Sequence, residues 1–201
     1  MARTGVRDEV AAPVAERLVA AATRLFAEHG YEATTVQDVV EAAGVTKGAM
    51  YHYFDSKDAL LYEIYHRLLA MQSARLEEIS AGPGDPGSRL RLAAVDVVET
   101  TVANLDEAIV FFRSHHLLAA DKRKLVRTER RRYHEQFRDL VAEGQRSGAF
   151  RQDADPDLVV SFFFGAVHQL GTWFHPDGAL SSTALGESYV DLLLTGLAPR
   201  A

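Results

Sequence analysis

Residues 34–57 constrain the fold more than any other part of the 201-residue chain, because their pattern predicts two short helices separated by a tight turn. Valine and alanine residues recur within 36–43 at the spacing of one helical face, which predicts the first helix. Thr35 precedes it and is a suitable N-cap, since its hydroxyl can accept a hydrogen bond from a free backbone N–H. Gly44 follows it and supplies the left-handed residue that commonly ends a helix.

A second helix is predicted over residues 47–54, with Thr46 as its N-cap. Two helices joined by a short turn that contains glycine form a helix-turn-helix. The N-terminal residues of the second helix in this motif reach base edges in the major groove of DNA. Here they include Lys47 and Gly48, and the small glycine lets the helix approach the floor of the groove.

The remaining side chains of the second helix divide into two groups. Tyr51 and His52 carry polar tips on the outer side, where they suit phosphate oxygens, the most frequent protein–DNA contacts. Met50, Tyr53 and Phe54 are expected to pack back on the first helix. The residues predicted to contact DNA, which include the start of the following helix, are Thr34, Thr35, Thr46, Lys47, Gly48, Tyr51, His52 and Lys57.

The same stretch resembles the DNA-binding domain of the TetR family of bacterial transcriptional regulators, and the similarity covers residues 14–60. It implies a homodimer that binds a palindromic operator. It also implies a helical C-terminal domain that binds a small molecule and thereby releases the DNA. The residues that carry the similarity are Phe26, Gly30, Tyr31, Thr34, Thr35, Val36, Ala43, Gly44, Val45, Lys47, Gly48, Tyr51, Tyr53, Phe54 and Lys57.

The charge balance is unusual for a DNA-binding protein. The chain has a net charge of −6, and residues 1–60 carry six basic against nine acidic residues. Binding is therefore expected to depend on local placement of charge and on two copies per site. There are no cysteines, which excludes disulfides and thiolate metal sites, and there is no apolar run of transmembrane length. The sequence predicts a cytoplasmic protein with neither a cofactor nor a metal, and no membrane partner.

Helical periodicity continues to the C-terminus and predicts an all-α fold of about nine helices. We expect two domains. Residues 1–57 form a three-helix DNA-binding domain whose residues 1–12 are a flexible arm, and residues 58–201 bind the effector and dimerise. The helix that starts at Lys57 reaches from one domain into the other and is the expected lever between DNA and effector. The predicted helices span residues 13–30, 36–43, 47–54, 57–80, 88–104, 106–120, 121–147, 156–174 and 181–197.

The eighth predicted helix is apolar on nearly all faces, and the ninth has a broad apolar face. Such helices are buried in a core or in an interface. Two of them can pair with their copies as a four-helix bundle about a two-fold axis. The resemblance implies this surface, while an ordinary monomer core is the alternative. The predicted interface residues are Phe162, Phe163, Val167, Leu170, Trp173, Tyr189, Leu193 and Leu197.

An effector pocket is predicted among the aromatic and polar side chains of the C-terminal helices, because ligand pockets are mostly apolar with a few polar groups. For each residue a plain core position is the alternative. The neighbours His115 and His116 do not indicate a metal site, because successive helical residues point about 100° apart. The predicted pocket residues are Leu68, Met71, Phe111, Phe112, His115, Tyr133, Phe137, Phe164 and His168.

Seven basic residues lie between Lys122 and Arg132. They indicate either a solvated face that pairs with Glu129 and Glu135 or an anion site at the mouth of the pocket. Residues 173–180 and the segment after them are similar to TetR-type regulators of fatty-acid and sterol breakdown, which respond to acyl-CoA thioesters. Because arginines bind phosphates well, an acyl-CoA is a hypothesis for the effector, next to other small apolar ligands.

The favoured function is a ligand-responsive DNA-binding regulator without catalytic residues. We expect a repressor that a small apolar effector releases from a palindromic operator. The alternatives are a helical small-molecule-binding module without sequence-specific DNA binding, and an enzyme. A bundle-type di-metal enzyme needs a pair of Glu-x-x-His motifs on facing helices. The sequence has one such motif, from Glu63 to His66, and it lacks the motifs of serine hydrolases and zinc proteases.

Overall fold

The computed structural model describes residues 13–199, and all regular secondary structure in that range is helical. The predicted all-α fold is confirmed, while the predicted arm at residues 1–12 lies outside the described residues. The described elements are α1 (Val14–His29), α2 (Val36–Ala42), α3 (Lys47–Tyr53), α4 (Lys57–Ala81), α5 (Pro86–Ala103), α6 (Leu105–Ser114), a 3-10 helix (His115–Leu117), α7 (Ala120–Arg146), α8 (Pro156–His168), α9 (Leu170–Trp173) and α10 (Ser182–Leu197).

The nine predicted helices correspond to α1–α8 and α10. The eighth is interrupted after His168, so that its last turn becomes the separate short helix α9. Helix α5 begins at Pro86, earlier than expected, because the Asp85 carboxylate accepts a hydrogen bond from the Ser88 N–H (3.0 Å) and caps the helix there. Helix α6 begins at Leu105, one residue before the predicted start at residue 106.

Side-chain caps define the starts of the short helices. Thr35 and Asp38 form a reciprocal capping box at α2: the Thr35 hydroxyl accepts from the Asp38 N–H (3.2 Å), and the Asp38 carboxylate accepts from the Thr35 N–H (2.8 Å). Thr46 and Ser56 cap α3 and α4, because each hydroxyl accepts a hydrogen bond from the backbone N–H three residues later. Gly44 ends the turn after α2 with a φ of 63°, a conformation that glycine adopts at little cost. The predicted caps Thr35 and Thr46 and the predicted turn at Gly44 are confirmed.

Helix α4 links the N-terminal and C-terminal helices. It packs against α1, α5, α6 and α7. Its buried side chains extend from Leu60 to Leu76, so that one continuous helix connects the three-helix head (α1–α3) with the C-terminal helices. Helix α10 packs along α5. Each helix within residues 13–199 is too short or too polar to span a lipid bilayer.

Candidate DNA-binding surface and effector site

The exposed surface of α3 collects most of the residues predicted to contact DNA. Lys47, Gly48, Tyr51 and His52 are all exposed. Thr35 and Thr46 lie beside them, exposed at the caps of α2 and α3. This surface presents the first turn of α3 together with aromatic and basic tips, as a recognition helix requires.

The prediction for Tyr53 is wrong. Its side chain is 51% exposed rather than packed on α2, whereas Met50 is fully buried and Phe54 is half-buried, as expected. Helix α3 ends at Tyr53, and the His52 ring meets the Tyr53 ring edge-on with centroids 5.0 Å apart. The head therefore presents one more exposed aromatic side chain beside Tyr51 than the sequence predicted.

Thr34 is also placed differently from the prediction. It is buried, and its hydroxyl donates to the carbonyl oxygens of Gly30 (2.8 Å) and Leu25 (3.3 Å). These contacts tie the turn before α2 to the end of α1. Thr34 therefore holds the head together and does not face DNA.

Lys57 has a comparable structural role. Its ammonium group donates to the carbonyl oxygens of Tyr31 and Thr34, each at 2.7 Å, and lies 4.2 Å from the centroid of the Tyr31 ring. Burial lowers the pKa of Lys57, although a nearby glutamate acts in the opposite direction. Lys57 therefore fastens the start of α4 to the α1–α2 connection, and we call this contact the Lys57 clamp. The predicted contact of Lys57 with a phosphate is not supported.

A small cavity lies between α4, α5, α6, α7 and α8, with a volume of about 40 Å³. Of the predicted pocket residues, Leu68, Phe111, Phe112, Tyr133, Phe164 and His168 line it. Phe137 is fully buried and stacks on Phe163 in the core, and Met71 faces a separate groove on the α1 side. The residues of this central cavity that the sequence did not identify are Tyr65, Leu69, Gln72, Val97, Thr101, Ala108, Arg130, His134 and Val167.

A second, larger cavity of about 420 Å³ opens beside the first and shares Phe111, Arg130 and His134 with it. We call it the basic mouth. Its lining includes His115, so this predicted pocket residue lies at the mouth and not in the central cavity. Its wall is rich in arginine, and its other residues are His116, Arg123, Val126, Arg127 and Arg131.

Few of the arginines of the basic mouth are paired with carboxylates. Arg131 lies 3.8 Å from Glu135, with both side chains largely exposed, so this pair contributes little. Glu129 was expected to neutralise the cluster but bonds instead with Tyr62 (3.1 Å) and His66 (3.2 Å) of α4. These contacts argue against a solvated helix face that pairs with Glu129 and Glu135, and they favour an anion site.

Arg130 stands at the junction of the two cavities. Its Nη2 lies 3.3 Å from His168 Nδ1, and its guanidinium carbon is 6.0 Å from the Phe111 and Phe112 ring centroids. Burial, followed by the charge of Arg130, lowers the pKa of His168 to about 3 and that of His134 to about 4. Both rings are therefore neutral near pH 7. Within residues 13–199, Arg130 has no carboxylate partner, so its charge is available to an anion.

Asp58 links the first turn of α4 to the start of α7. Its carboxylate accepts a hydrogen bond from the Ala119 N–H (3.0 Å) and lies 3.0 Å from the Lys122 ammonium. We call this contact the Asp58 bridge. It places the segment next to the basic mouth in direct contact with the residue that follows Lys57.

The predicted dimer surface is only partly exposed. Phe162 is 71% exposed and Trp173 is also exposed, whereas Tyr189 is half-buried. The other predicted interface residues are buried in the protomer's own core: Phe163, Val167, Leu170, Leu193 and Leu197. Two exposed leucines that the sequence did not single out, Leu158 and Leu192, join Phe162 around a groove of about 360 Å³ between α8 and α10.

Both side chains of the Glu-x-x-His motif bond to other protein side chains near the surface. Glu63 bonds to Arg67 (2.6 Å), while His66 bonds to Glu129. The part of the chain that the structure describes has no group of three or more side chains placed to hold a metal ion.

Comparisons with known proteins match both halves of the chain. Residues 18–64 match the model of bacterial regulatory proteins, tetR family, and residues 83–197 match that of the tetracyclin repressor-like C-terminal domain. The transcriptional repressor KstR2 of Rhodococcus jostii is 31% identical over 182 residues, which are 88% of this chain and 87% of that protein.

Solved structures agree over nearly the full length. The regulator PfmR from Thermus thermophilus superposes with a TM-score of 0.83 and 31% identity, covering 89% of this chain and 97% of that one. The ketosteroid transcriptional regulator KstR2 of Mycobacterium tuberculosis gives a TM-score of 0.85 and 26% identity, covering 94% and 97%.

Proposed function

Because the chain belongs to the TetR family and is a helix-turn-helix transcriptional regulator, we propose that it is a repressor whose effector is an acyl-CoA thioester. The observation that carries this proposal is the junction at Arg130. A small, largely apolar cavity meets a basic mouth there, and α4 forms one wall of the cavity. A ligand with an apolar tail and a polyanionic head fits this pair of spaces.

In DNA binding, each copy of a homodimer would insert the first turn of α3 into a major groove. Lys47 and Gly48 would meet base edges, and Tyr51 and His52 would meet phosphates. Half-sites about one helical turn apart follow from two-fold symmetry, and the operator is then a palindrome. The exposure of this surface supports the proposal.

In effector binding, the acyl group would occupy the central cavity, and the phosphates of CoA would contact Arg123, Arg127 and Arg131 of the mouth. Arginine suits this role because its planar fork can donate two parallel hydrogen bonds to one phosphate. Arg130 would contact the ligand where the tail joins the head.

Release of DNA would follow from the size of the central cavity. Its volume of about 40 Å³ is far below the roughly 300 Å³ of small ligand sites, so an acyl group must move the helices around it. The middle of α4 lines the cavity with Tyr65, Leu68, Leu69 and Gln72. The same helix carries the Lys57 clamp at its first residue. The effector would thus stabilise a second position of α4 in which the two heads no longer match the operator.

The dimer would form through the exposed face of α8 and α10. Phe162, Leu158 and Leu192 make an apolar patch on these two helices, and such patches mark interaction surfaces. We further propose that residues 1–57 are the DNA-binding domain and residues 58–201 the effector and dimerisation domain. The protein would act in the cytoplasm by binding alone, without catalysis.

The test is selection of bound fragments from random double-stranded DNA, followed by titration of the complex with saturated acyl-CoAs of increasing length. We expect an enriched palindrome and its release by thioesters, with free CoA and free fatty acids much less effective. If a palindrome is enriched but no thioester releases it, the proposal of an acyl-CoA effector fails, and the assignment as a DNA-binding regulator stands. Absence of an enriched sequence would eliminate sequence-specific DNA binding itself.

A further inference from the structure

Two tyrosine hydroxyls of the central cavity have no partner in the described part of the chain. Tyr65 of α4 and Tyr133 of α7 both line the cavity and are only 6% and 3% exposed. Among residues 13–199, neither hydroxyl has a hydrogen-bond partner. Buried polar groups are nearly always hydrogen-bonded, because leaving one unpaired costs its full desolvation free energy.

The two rings are held firmly in place. Tyr65 stacks on Phe111 with centroids 3.6 Å apart, and Tyr133 meets Phe164 edge-on at 5.5 Å. Neither hydroxyl oxygen is fully enclosed by protein atoms, so the cavity that both rings line is the space left to them. Burial raises the pKa of both phenols, which therefore remain protonated donors.

The polar groups next to them are already engaged. The Gln72 amide donates to the hydroxyls of Thr100 (3.0 Å) and Thr101 (3.2 Å). Asp96 is paired with Arg75 and accepts no hydrogen bond from either tyrosine. The central cavity thus offers two phenolic donors that have no acceptor among residues 13–199, and one of them, Tyr65, stacks on the Phe111 ring that the cavity shares with the mouth.

We propose that the acyl group of the effector carries an oxygen, a carbonyl or a hydroxyl, in the part that occupies the central cavity, and that Tyr65 and Tyr133 donate hydrogen bonds to it. This inference rests on the proposed function and specifies the class of acyl group. A plain alkyl chain leaves both donors unpaired in a desolvated site. A site built to hydrogen-bond an oxygen rejects an analogue that lacks it more strongly than an apolar pocket rejects an added group.

The experiment compares saturated acyl-CoAs of eight, ten and twelve carbons with analogues of the same length that carry one ketone, placed in turn on the carbons between the thioester and the chain end. Affinities are measured by calorimetry on the full chain and on Tyr65→Phe, Tyr133→Phe and the double variant. Tyr62→Phe is the matched control, because its hydroxyl lies on the same helix but bonds to Glu129 outside the cavity. The melting temperature without ligand is recorded for each variant.

For the best chain length, we expect the ketone to bind the original protein about tenfold more tightly than the plain chain. The double variant should lose this preference to within about twofold, and Tyr62→Phe should keep it. The melting temperature of the double variant should not fall, since its hydroxyls have no protein partner to lose.

Three results would overturn the proposal. Equal affinity for both ligands, or a preference that survives in the double variant, would mean that the hydroxyls bind only an internal water, for which the cavity has room. In both cases the acyl-CoA function would stand. If no thioester of either kind bound the original protein, the acyl-CoA function would fail, and this inference would fail with it.

Discussion

The effector site and the connections between the head helices treat their polar groups in opposite ways. Around the helix-turn-helix, the hydroxyl of Thr34, the capping box of Thr35 and the ammonium of Lys57 are satisfied within the protein. In the effector site, Arg130 has no carboxylate partner, and the hydroxyls of Tyr65 and Tyr133 have no acceptor, among the residues that the structure describes. A surface that reads DNA needs a rigid scaffold, whereas a ligand site needs groups whose partners arrive with the ligand.

The largest expected effect comes from removing the unpaired charge of the effector site. Arg130→Gln should weaken acyl-CoA binding about 100-fold, because a partly desolvated contact between guanidinium and anion is lost. Calorimetry with the preferred thioester measures this effect. Helix content and melting temperature should change little, since Arg130 forms no ion pair within the described residues.

The matched control is Arg132→Gln. Arg132 lies two residues further along α7 and faces a different groove, beside His66 and Gln136. Its replacement should change affinity by no more than about threefold. Equal losses in both variants would mean that the ligand responds only to the overall charge of α7. The unpaired charge of Arg130 would then not distinguish the effector site from the head.

The second prediction concerns the two lysines of the helix-turn-helix. Lys57→Met keeps most of the aliphatic stem but leaves the carbonyl oxygens of Tyr31 and Thr34 without their donor. We expect a loss of about 2 kcal/mol in the free energy of unfolding. Thermal denaturation should then show a decrease of about 5 °C in melting temperature.

Lys47→Met provides the comparison, since Lys47 is exposed at the start of α3. It should leave the melting temperature within about 1 °C and weaken operator binding about tenfold. The assignment of roles is reversed if Lys57→Met melts normally and loses DNA binding. Lys57 would then contact a phosphate, as its sequence position first indicated.

The sequence predicted the head better than the effector site for a physical reason. Caps such as Thr35 and Thr46 bond to residues three positions away, so local spacing predicts them. Thr34 and Lys57 bond to backbone carbonyls of the α1–α2 connection, which every residue type provides and no sequence pattern marks. Their side chains were consequently assigned to DNA.

The effector site depends on how the helices cross, which the sequence does not specify. Phe137 and Phe164 are both aromatic on apolar faces, yet only Phe164 reaches the central cavity. One signal was available: Gln72 continues the apolar stripe of α4 four residues after Leu68, and a polar residue on a buried face needs a local partner or a ligand. The arginine cluster was recognised, but its position beside the cavity required the structure.

The third prediction uses the neutral rings around Arg130. The pKa of His168, about 3, and that of His134, about 4, lie below the ordinary value of 6.5. The unfolded chain therefore binds more protons below pH 6.5, and the free energy of unfolding falls as the pH decreases from 6.5 towards 4. Between pH 7 and pH 5, each ring should account for about 1 kcal/mol after allowance for its partial exposure.

Urea denaturation at several pH values measures this slope. His168→Gln should reduce the loss of stability between pH 7 and pH 5, because glutamine does not titrate. His175→Gln, at an exposed position, is the control and should leave the slope unchanged. An unchanged slope in His168→Gln would indicate that the pKa of His168 is the same in the folded and the unfolded chain, so that neither burial nor Arg130 lowers it.

The smallest expected effect lies in the contact that joins the two regions. The Asp58 bridge connects the first turn of α4 to Ala119 and Lys122, beside the basic mouth. Asp58→Ala should leave operator affinity without effector within about twofold. It should reduce the ratio of operator affinities without and with effector by about threefold to tenfold, because motion at the mouth would reach α4 less directly.

A double-mutant cycle with Lys122→Ala separates this coupling from a general loss of charge. If the bridge transmits the motion, the double variant should resemble Asp58→Ala alone, since both changes remove one contact. Lys124→Ala, an exposed lysine on the same turn of α7, should have no effect on the ratio. Strictly additive effects of Asp58→Ala and Lys122→Ala would show that the head responds to the effector through the body of α4, where Tyr65 and Gln72 line the cavity, and not through its first turn.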